Sequence, residues 1–236
     1  MSASALAIGQ IDTVLCGRAV PCLRPNGSPG GLSAIAKQPV AGPVAVGPLG
    51  LAGDEQGDTR VHGGPDKAIH HYALEHYPAW RAELGAQPVL AAPGAFGENL
   101  ASRGVTEANL CWGDQVRIGS CRLELAQSRQ PCWKLNTRFA TPDMALRVQR
   151  TGRTGWYWRV LQEGQLQAGD GIYLLARPHP EWPLARVIAL LYERELDPAV
   201  LRAFAQLALP PSWQRIVQRR LDSGQVEDWS ARVQGG

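Results

Sequence analysis

The chain has 236 residues, of which 44% are hydrophobic and 19% charged, with a formal net charge of +3. That is enough apolar material for one large domain, or for one domain with an appendage. The charge is too small to argue for nucleic acid, and no apolar run reaches the roughly 18 residues of a membrane helix.

The opening MSASALAIGQIDTVL lacks the basic flank and long apolar core of a secretion signal, so a cytoplasmic protein is expected. From residue 8 to 175 the chain reads as short strands and turns. AIGQIDTVLCG is a strand-like run ended by glycine. PDKAIHHYALEHYPAWRAEL predicts a helix, with Pro65 and Asp66 at its start and Ala68, His71, Tyr72 and Glu75 to Tyr77 at helical spacing. GVTEANLCWGDQVRIGSCRLELAQ alternates around two turns, which is a hairpin pattern. TPDMALRVQRTG predicts a short helix with Thr141 as N-cap, Pro142 at its first position and Gly152 as its stop. GQLQAGDGIYLLAR is a further turn and strand.

The composition changes after Arg177. PHPEWP reads as a linker, and three amphipathic helices are predicted beyond it. The first carries Leu184, Val187, Ile188 and Leu191 on one stripe. The second opens with Asp197 and Pro198. The third aligns Trp213, Ile216, Val217 and Leu221 and ends at Gly224. The expected organisation is a mainly β domain over residues 1–177 and a small α-helical subdomain over 178–236.

Five cysteines, none in a C-x-x-C pair, argue against a disulfide framework and a structural zinc site. Cys132 stands apart because it lies between Arg129 and Lys134 in QSRQPCWKLN. Flanking cations favour the thiolate, the form that attacks electrophiles and binds soft metals. The plainer alternative is a small half-buried hydrophobe. Residues 129–159 hold six arginines and Lys134 against Asp143 alone, in a chain with only three lysines. The stretch reads either as a platform for an anionic ligand or acidic partner, or as a solvated face.

Three further clusters carry chemistry. In GDEQGDTRVHGGPDKAIHHY, Arg60 and His62 share one side of an extended segment, and Gly63 and Gly64 allow close backbone approach. His70 and His71 follow, and one of them is expected in the core. In GAFGENL, Glu98 and Asn99 offer an acceptor and an amide to a heterocycle. In LSAIAKQPV, Lys37 could meet a phosphate.

SAIAK, the GDEQ and RVHGGPDKA segments, GAFGENL, SRQPCWKLN and TGRTGWYWRV, in this order, resemble the MOSC-domain proteins of the YiiM type. The resemblance runs from about residue 30 to 175, and the helices match that group's extension. It implies a MOSC β-barrel-like fold, with a few helices, that holds a molybdenum cofactor through a pterin dithiolene. Cys132 would supply the protein's sulfur ligand to the metal. It further implies cofactor contacts at Lys37, Arg60, His62, Glu98, Asn99, Ser128 and Arg129. Lys37 and Arg60 would suit the phosphate end, and Glu98 and Asn99 the pterin ring. The implied activity is reduction of N-hydroxylated compounds such as 6-N-hydroxylaminopurine, a detoxification, with His71 or Glu98 relaying protons. No flavin, dinucleotide or iron–sulfur motif is visible, so a separate flavoprotein electron donor is expected. A sulfur carrier using a Cys132 persulfide, and a cysteine hydrolase with His62 or His71 as base, are the rival readings. The sequence leaves a homodimer open.

Overall fold

The computed structural model describes residues 6–58 and 63–235. Arg60 and His62 therefore lie outside the described residues. The strands, in chain order, are β1 (Leu6–Cys16), β2 (Val20–Leu23), β3 (Pro29–Ser33), β4 (Gln38–Pro39), β5 (Val44–Gly47), β6 (Gly50–Leu51), β7 (Ile69–Ala73), β8 (Leu100–Arg103), β9 (Gln115–Ile118), β10 (Cys121–Ser128), β11 (Trp156–Gln162), β12 (Gly164–Leu166) and β13 (Gly171–Ala176). The helices are α1 (His76–Leu84), α2 (Lys134–Phe139), α3 (Met144–Thr151), α4 (Leu184–Tyr192), α5 (Pro198–Ala205), α6 (Pro211–Ser223) and α7 (Ser230–Gln234).

The main sheet runs β13-β9-β10-β11-β7-β8-β1-β4, and β13 also pairs with β1. That closing pair makes a seven-stranded barrel, with β4 added beside β1. All its pairings are antiparallel except β7 with β8. The predicted hairpin is β9–β10, with Ile118 opposite Cys121.

One core runs from Ile11, Val14, Leu100, Val116 and Trp156 in the barrel into Val187, Leu191, Phe204, Trp213 and Val217 of the helices. Trp112 lies 5.4 Å from Trp213, and Trp182 lies 5.3 Å from Phe204, ring centre to ring centre. Each such side chain stabilises the joint by roughly 1.5–3 kcal/mol when fully buried. A second core, with Tyr72, Tyr77, Trp80, Phe96, Phe139 and Met144, lies under α1, α2 and α3. The cap at Asp197 is present, accepting from Ala199 N at 2.7 Å. Gly152 and Gly224 end α3 and α6 in the left-handed conformation. The short helix starts at Met144 rather than Pro142, after a turn in which Met144 N donates to Thr141 O.

The helix predicted over 65–84 is corrected. Residues Pro65–Lys67 make one 3-10 turn, Ile69–Ala73 are strand β7, and only His76–Leu84 are α-helical. All five residues of β7 are buried. A strand covered on both faces needs no polar alternation, so its spacing imitates a buried helix. No described helix is long and apolar enough to cross a membrane.

Candidate active site

Strand β10 ends at Ser128, and the loop Arg129–Trp133 leads into α2. Arg129 N donates to Gly155 O at 3.0 Å, and Leu135 N donates to Cys132 O at 3.0 Å. Between these anchors Cys132 is half-buried at the wall of a cleft of about 580 Å³. A second compartment, reaching Arg24, Trp133 and Arg232, shares Gln56, Gly57, Lys67, Cys132, Lys134 and Tyr157 with it. Cys132 thus stands where the two compartments meet. None of the five cysteines is in a disulfide. Burial pushes the Cys16 and Cys111 thiols up, and that of Cys121 up to about 11, so these are ill-suited to act as thiolates.

All three lysines of the chain, Lys37, Lys67 and Lys134, line the cleft. Lys37 pairs with Asp54, both side chains being 6% exposed. Asp54 also accepts from Gly17 N and from Asn99 Nδ2, each at 2.8 Å. Asn99 Oδ1 accepts from His70 N at 3.1 Å. The pairing of Lys37 and Asn99 with one carboxylate braces the inner end of the cleft. Lys134 Nζ donates to Leu32 O at 2.7 Å. Burial pushes the Lys67 ammonium down, while Asp66 and the nearby Cys132 pull it back up. Sequence reasoning did not assign Lys67 a role. The scarcity of lysine among so many arginines was the signal that could have found it.

Two buried polar atoms of the cleft residues have no hydrogen-bond partner, Arg129 Nη1 and His70 Nε2. An unmade buried hydrogen bond costs about 1–3 kcal/mol, and Ser128 Oγ, Arg153 Nη1, Trp156 Nε1 and Trp213 Nε1, away from the cleft lining, are in the same state. His70 packs on Tyr157, ring centres 5.1 Å apart. Burial, then the Arg129 charge, push its imidazole well below the usual range, so it is neutral here. Gly97, at the cleft wall, has φ 75°, and a Cβ there would lie 2.8 Å from Ile35 Cγ1. Only glycine fits that turn.

Three expected site residues do not line the cleft. His71 points to the opposite face of β7 from His70, into the core. Its Nε2 lies 2.6 Å from Ser102 Oγ, and its Nδ1 accepts from Trp158 Nε1 at 2.8 Å. Burial pushes its pKa down to about 3. A fully buried, fully bonded imidazole cannot relay protons to a ligand. Glu98 is also fully buried and does not line the cleft. It accepts from Tyr77 Oη at 2.5 Å, Gly94 N at 2.7 Å and Phe96 N at 3.0 Å. These bonds fix the GAFGENL turn, and the carboxylate is directed to that turn rather than to the cleft. Ser128 is buried on β10 opposite Trp156, away from the cleft lining. Lys37, Asn99, Arg129 and Cys132 are brought together as expected.

The basic stretch 129–159 is not one surface. Arg129 and Lys134 reach the cleft. Arg138 donates to the carbonyls of Ala95 and Gly94 at 2.9 and 2.8 Å. Arg147 pairs with Asp143, Arg153 with Glu83, and Arg159 with both Asp66 and Glu124. The paired acids all precede residue 178, so the helical extension does not supply them.

Among the described residues, no group of three or more His, Cys, Asp or Glu side chains could hold a metal ion unaided. A metal beside Cys132 would have to arrive with ligands of its own. The cleft fits such an anionic group, with one thiol at the wall and Lys37, Lys67, Lys134 and Arg129 around it.

The MOSC domain model matches residues 58–173, and the YiiM-like 3-alpha helix domain model matches residues 182–224. The chain is 39% identical over 212 residues to Protein YiiM of Escherichia coli (strain K12), covering 89% of this chain and 93% of that one. It is 41% identical over 192 residues to a protein of Gibberella moniliformis named Reductase, covering 81% of this chain but 34% of that longer one. The crystal structure of YiiM from Escherichia coli superposes with a TM-score of 0.75 at 35% identity, over 84% of this chain and 94% of that one. The MOSC domain is associated with molybdenum-cofactor binding. By barrel, helical extension and sequence, this chain belongs to the MOSC-domain proteins of the YiiM type.

Proposed function

We propose that this protein is a molybdenum-cofactor-dependent reductase of N-hydroxylated compounds, with 6-N-hydroxylaminopurine as a representative substrate and detoxification as its role. The observation that carries the reading is the meeting of Cys132 with four cations, Lys37, Lys67, Lys134 and Arg129, at the wall of one cleft. The relative named Reductase supports reduction as the chemistry.

The cofactor would supply a metal that passes two electrons to the N–OH bond. The net reaction takes R–NH–OH, two electrons and two protons to R–NH₂ and water. Cys132 would give the metal a soft thiolate. Lys37, Lys67, Lys134 and Arg129 would hold the anionic parts of the cofactor, with Arg60 and His62 kept as candidates at the phosphate end. His70 is the imidazole that lines the cleft, and a proton relay at this site would run through it. The electrons would come from a separate flavoprotein.

The test is molybdenum and pterin analysis of protein made in cells able to build the cofactor, with turnover of 6-N-hydroxylaminopurine driven by an artificial electron donor. Molybdenum near one per chain, with activity abolished in a folded Cys132→Ser variant, is the expected result. Substantial activity in that variant rules out Cys132 as the metal ligand. Sulfane sulfur on Cys132 without metal would favour the sulfur carrier instead.

A further inference from the structure

Beyond α6 the chain turns back to the barrel, and α7 lands on the loop that carries Cys132. The Arg232 guanidinium donates to the Pro131 carbonyl, and its Nη2 donates to Gln149 Oε1 at 2.8 Å. Trp133 N donates to Arg232 O at 2.9 Å. The loop is therefore held at the residue before Cys132 and at the residue after it. Two more bonds fix the same segment. Asn136 Nδ2 donates to Val233 O at 2.8 Å, and Arg24, beside the β2–β3 hairpin, donates to Gly235 O at 2.9 Å. Gly235 packs so closely that a Cβ there would lie 2.8 Å from Trp133 Cγ.

Arg232 is itself held in place. Its guanidinium carbon lies 4.9 Å from the centre of the Trp229 ring and 6.0 Å from that of Tyr192. Such stacking fixes the plane of an arginine and so the direction of its donors. Arg232 and Ala231 also line the outer compartment that Cys132 shares. Residues 230–235 lie outside both spans matched by the family models, 58–173 and 182–224.

We propose that the segment Ala231–Gly235 is a clamp that fixes Cys132 at the cleft wall, with Arg232 as its positioning residue. The clamp rests on the reading of Cys132 as the group that meets the cofactor. It makes the helical extension part of the site, since the chain must pass through α4, α5 and α6 to reach the loop.

The experiment compares full-length wild type with Arg232→Ala, Arg232→Lys and Ser230→Ala. Amide hydrogen exchange is followed in peptides covering 130–137 and, separately, in the barrel strands β10 and β11. Pterin retained through gel filtration is measured on the same preparations. Loss of a charge-assisted bond predicts exchange in 130–137 roughly tenfold faster or more in Arg232→Ala, with the barrel strands unchanged and retained pterin reduced. Arg232→Lys keeps the charge but cannot reach both acceptors as a planar fork does, so it should fall between. Ser230→Ala removes only the hydroxyl's local bond to Asp228, outside the clamp, and should match wild type. Unchanged loop protection in Arg232→Ala overturns the proposal, as does equal acceleration in loop and barrel. Faster loop exchange with full pterin retention overturns it too, because the clamp would then not serve the site. A wild type that never carries pterin removes the proposed function instead, and the exchange comparison still decides whether the loop is clamped.

Discussion

The Cys132 cleft and the helical extension each bury an arginine, and the two are treated in opposite ways. In the extension, Arg220 has a side chain with no exposure at all. Its Nε and Nη2 donate to Glu227 at 3.1 and 2.9 Å, and its remaining bonds go to the carbonyls of Leu190, Leu191 and Glu195. In the cleft, Arg129 is 6% exposed, yet its Nη1 has no partner. A buried cation with every donor spent is part of the architecture. A buried cation with a donor left over has been kept at a cost, and a ligand is the natural recipient. The same contrast separates His71, with both ring nitrogens bonded, from His70, whose Nε2 is not.

The comparison can be broken most readily at Arg220. Arg220→Ala strands the mostly buried Glu227 and three carbonyls, and breaking a buried pair this way costs about 3–5 kcal/mol. Urea unfolding of the unliganded protein measures it, and a loss below about 1 kcal/mol would show that satisfied donors there matter little.

The next effect is an acid-side one, from His71. Its pKa is pushed down from 6.5 to about 3 in the fold, so the unfolded chain binds the proton first. Stability is fully present above pH 6.5 and falls by about 1.4 kcal/mol per pH unit as pH drops from there toward 3. His71→Asn should lose stability at neutral pH but show an acid slope shallower by one proton. An unchanged slope would mean that His71 already shares its proton in the fold.

Arg129→Met sharpens the contrast because its sign differs from that of Arg220. Removing an incompletely bonded buried cation should leave the unliganded protein unchanged or about 1 kcal/mol more stable. Retained pterin should fall roughly tenfold or more, the worth of a charge-assisted bond. Thermal unfolding and pterin content of the same sample report both; destabilisation with normal pterin would place Arg129 with Arg220.

The smallest effect is expected at Arg147. Its i,i+4 bond to Asp143 is 2.9 Å long, but the side chains are 42% and 47% exposed. Arg147→Ala should change stability by no more than about 0.5 kcal/mol in a denaturant titration, and less still in high salt.

The sequence by itself determined the strand-and-turn character of the barrel, the three helices of the extension with the stop at Gly224, and, through the resemblance to the MOSC-domain proteins, the grouping of Cys132 with Lys37, Asn99 and Arg129. Those features depend on local signals: glycine at left-handed positions, a capping aspartate, an apolar stripe of period 3.6 and a set of short motifs. Only the tertiary structure decided that IHHYA is a strand, because a segment covered on both faces carries no polar alternation of period two. With that strand came the choice of His70 over His71, since neighbours along a strand face opposite sides. Glu98 read as a ligand contact because nothing local shows that its oxygens are claimed by Tyr77, Gly94 and Phe96. The hold of Arg232 on Pro131 joins residues 101 apart in sequence, and the partners of a hydrogen bond that long in sequence are chosen by packing alone.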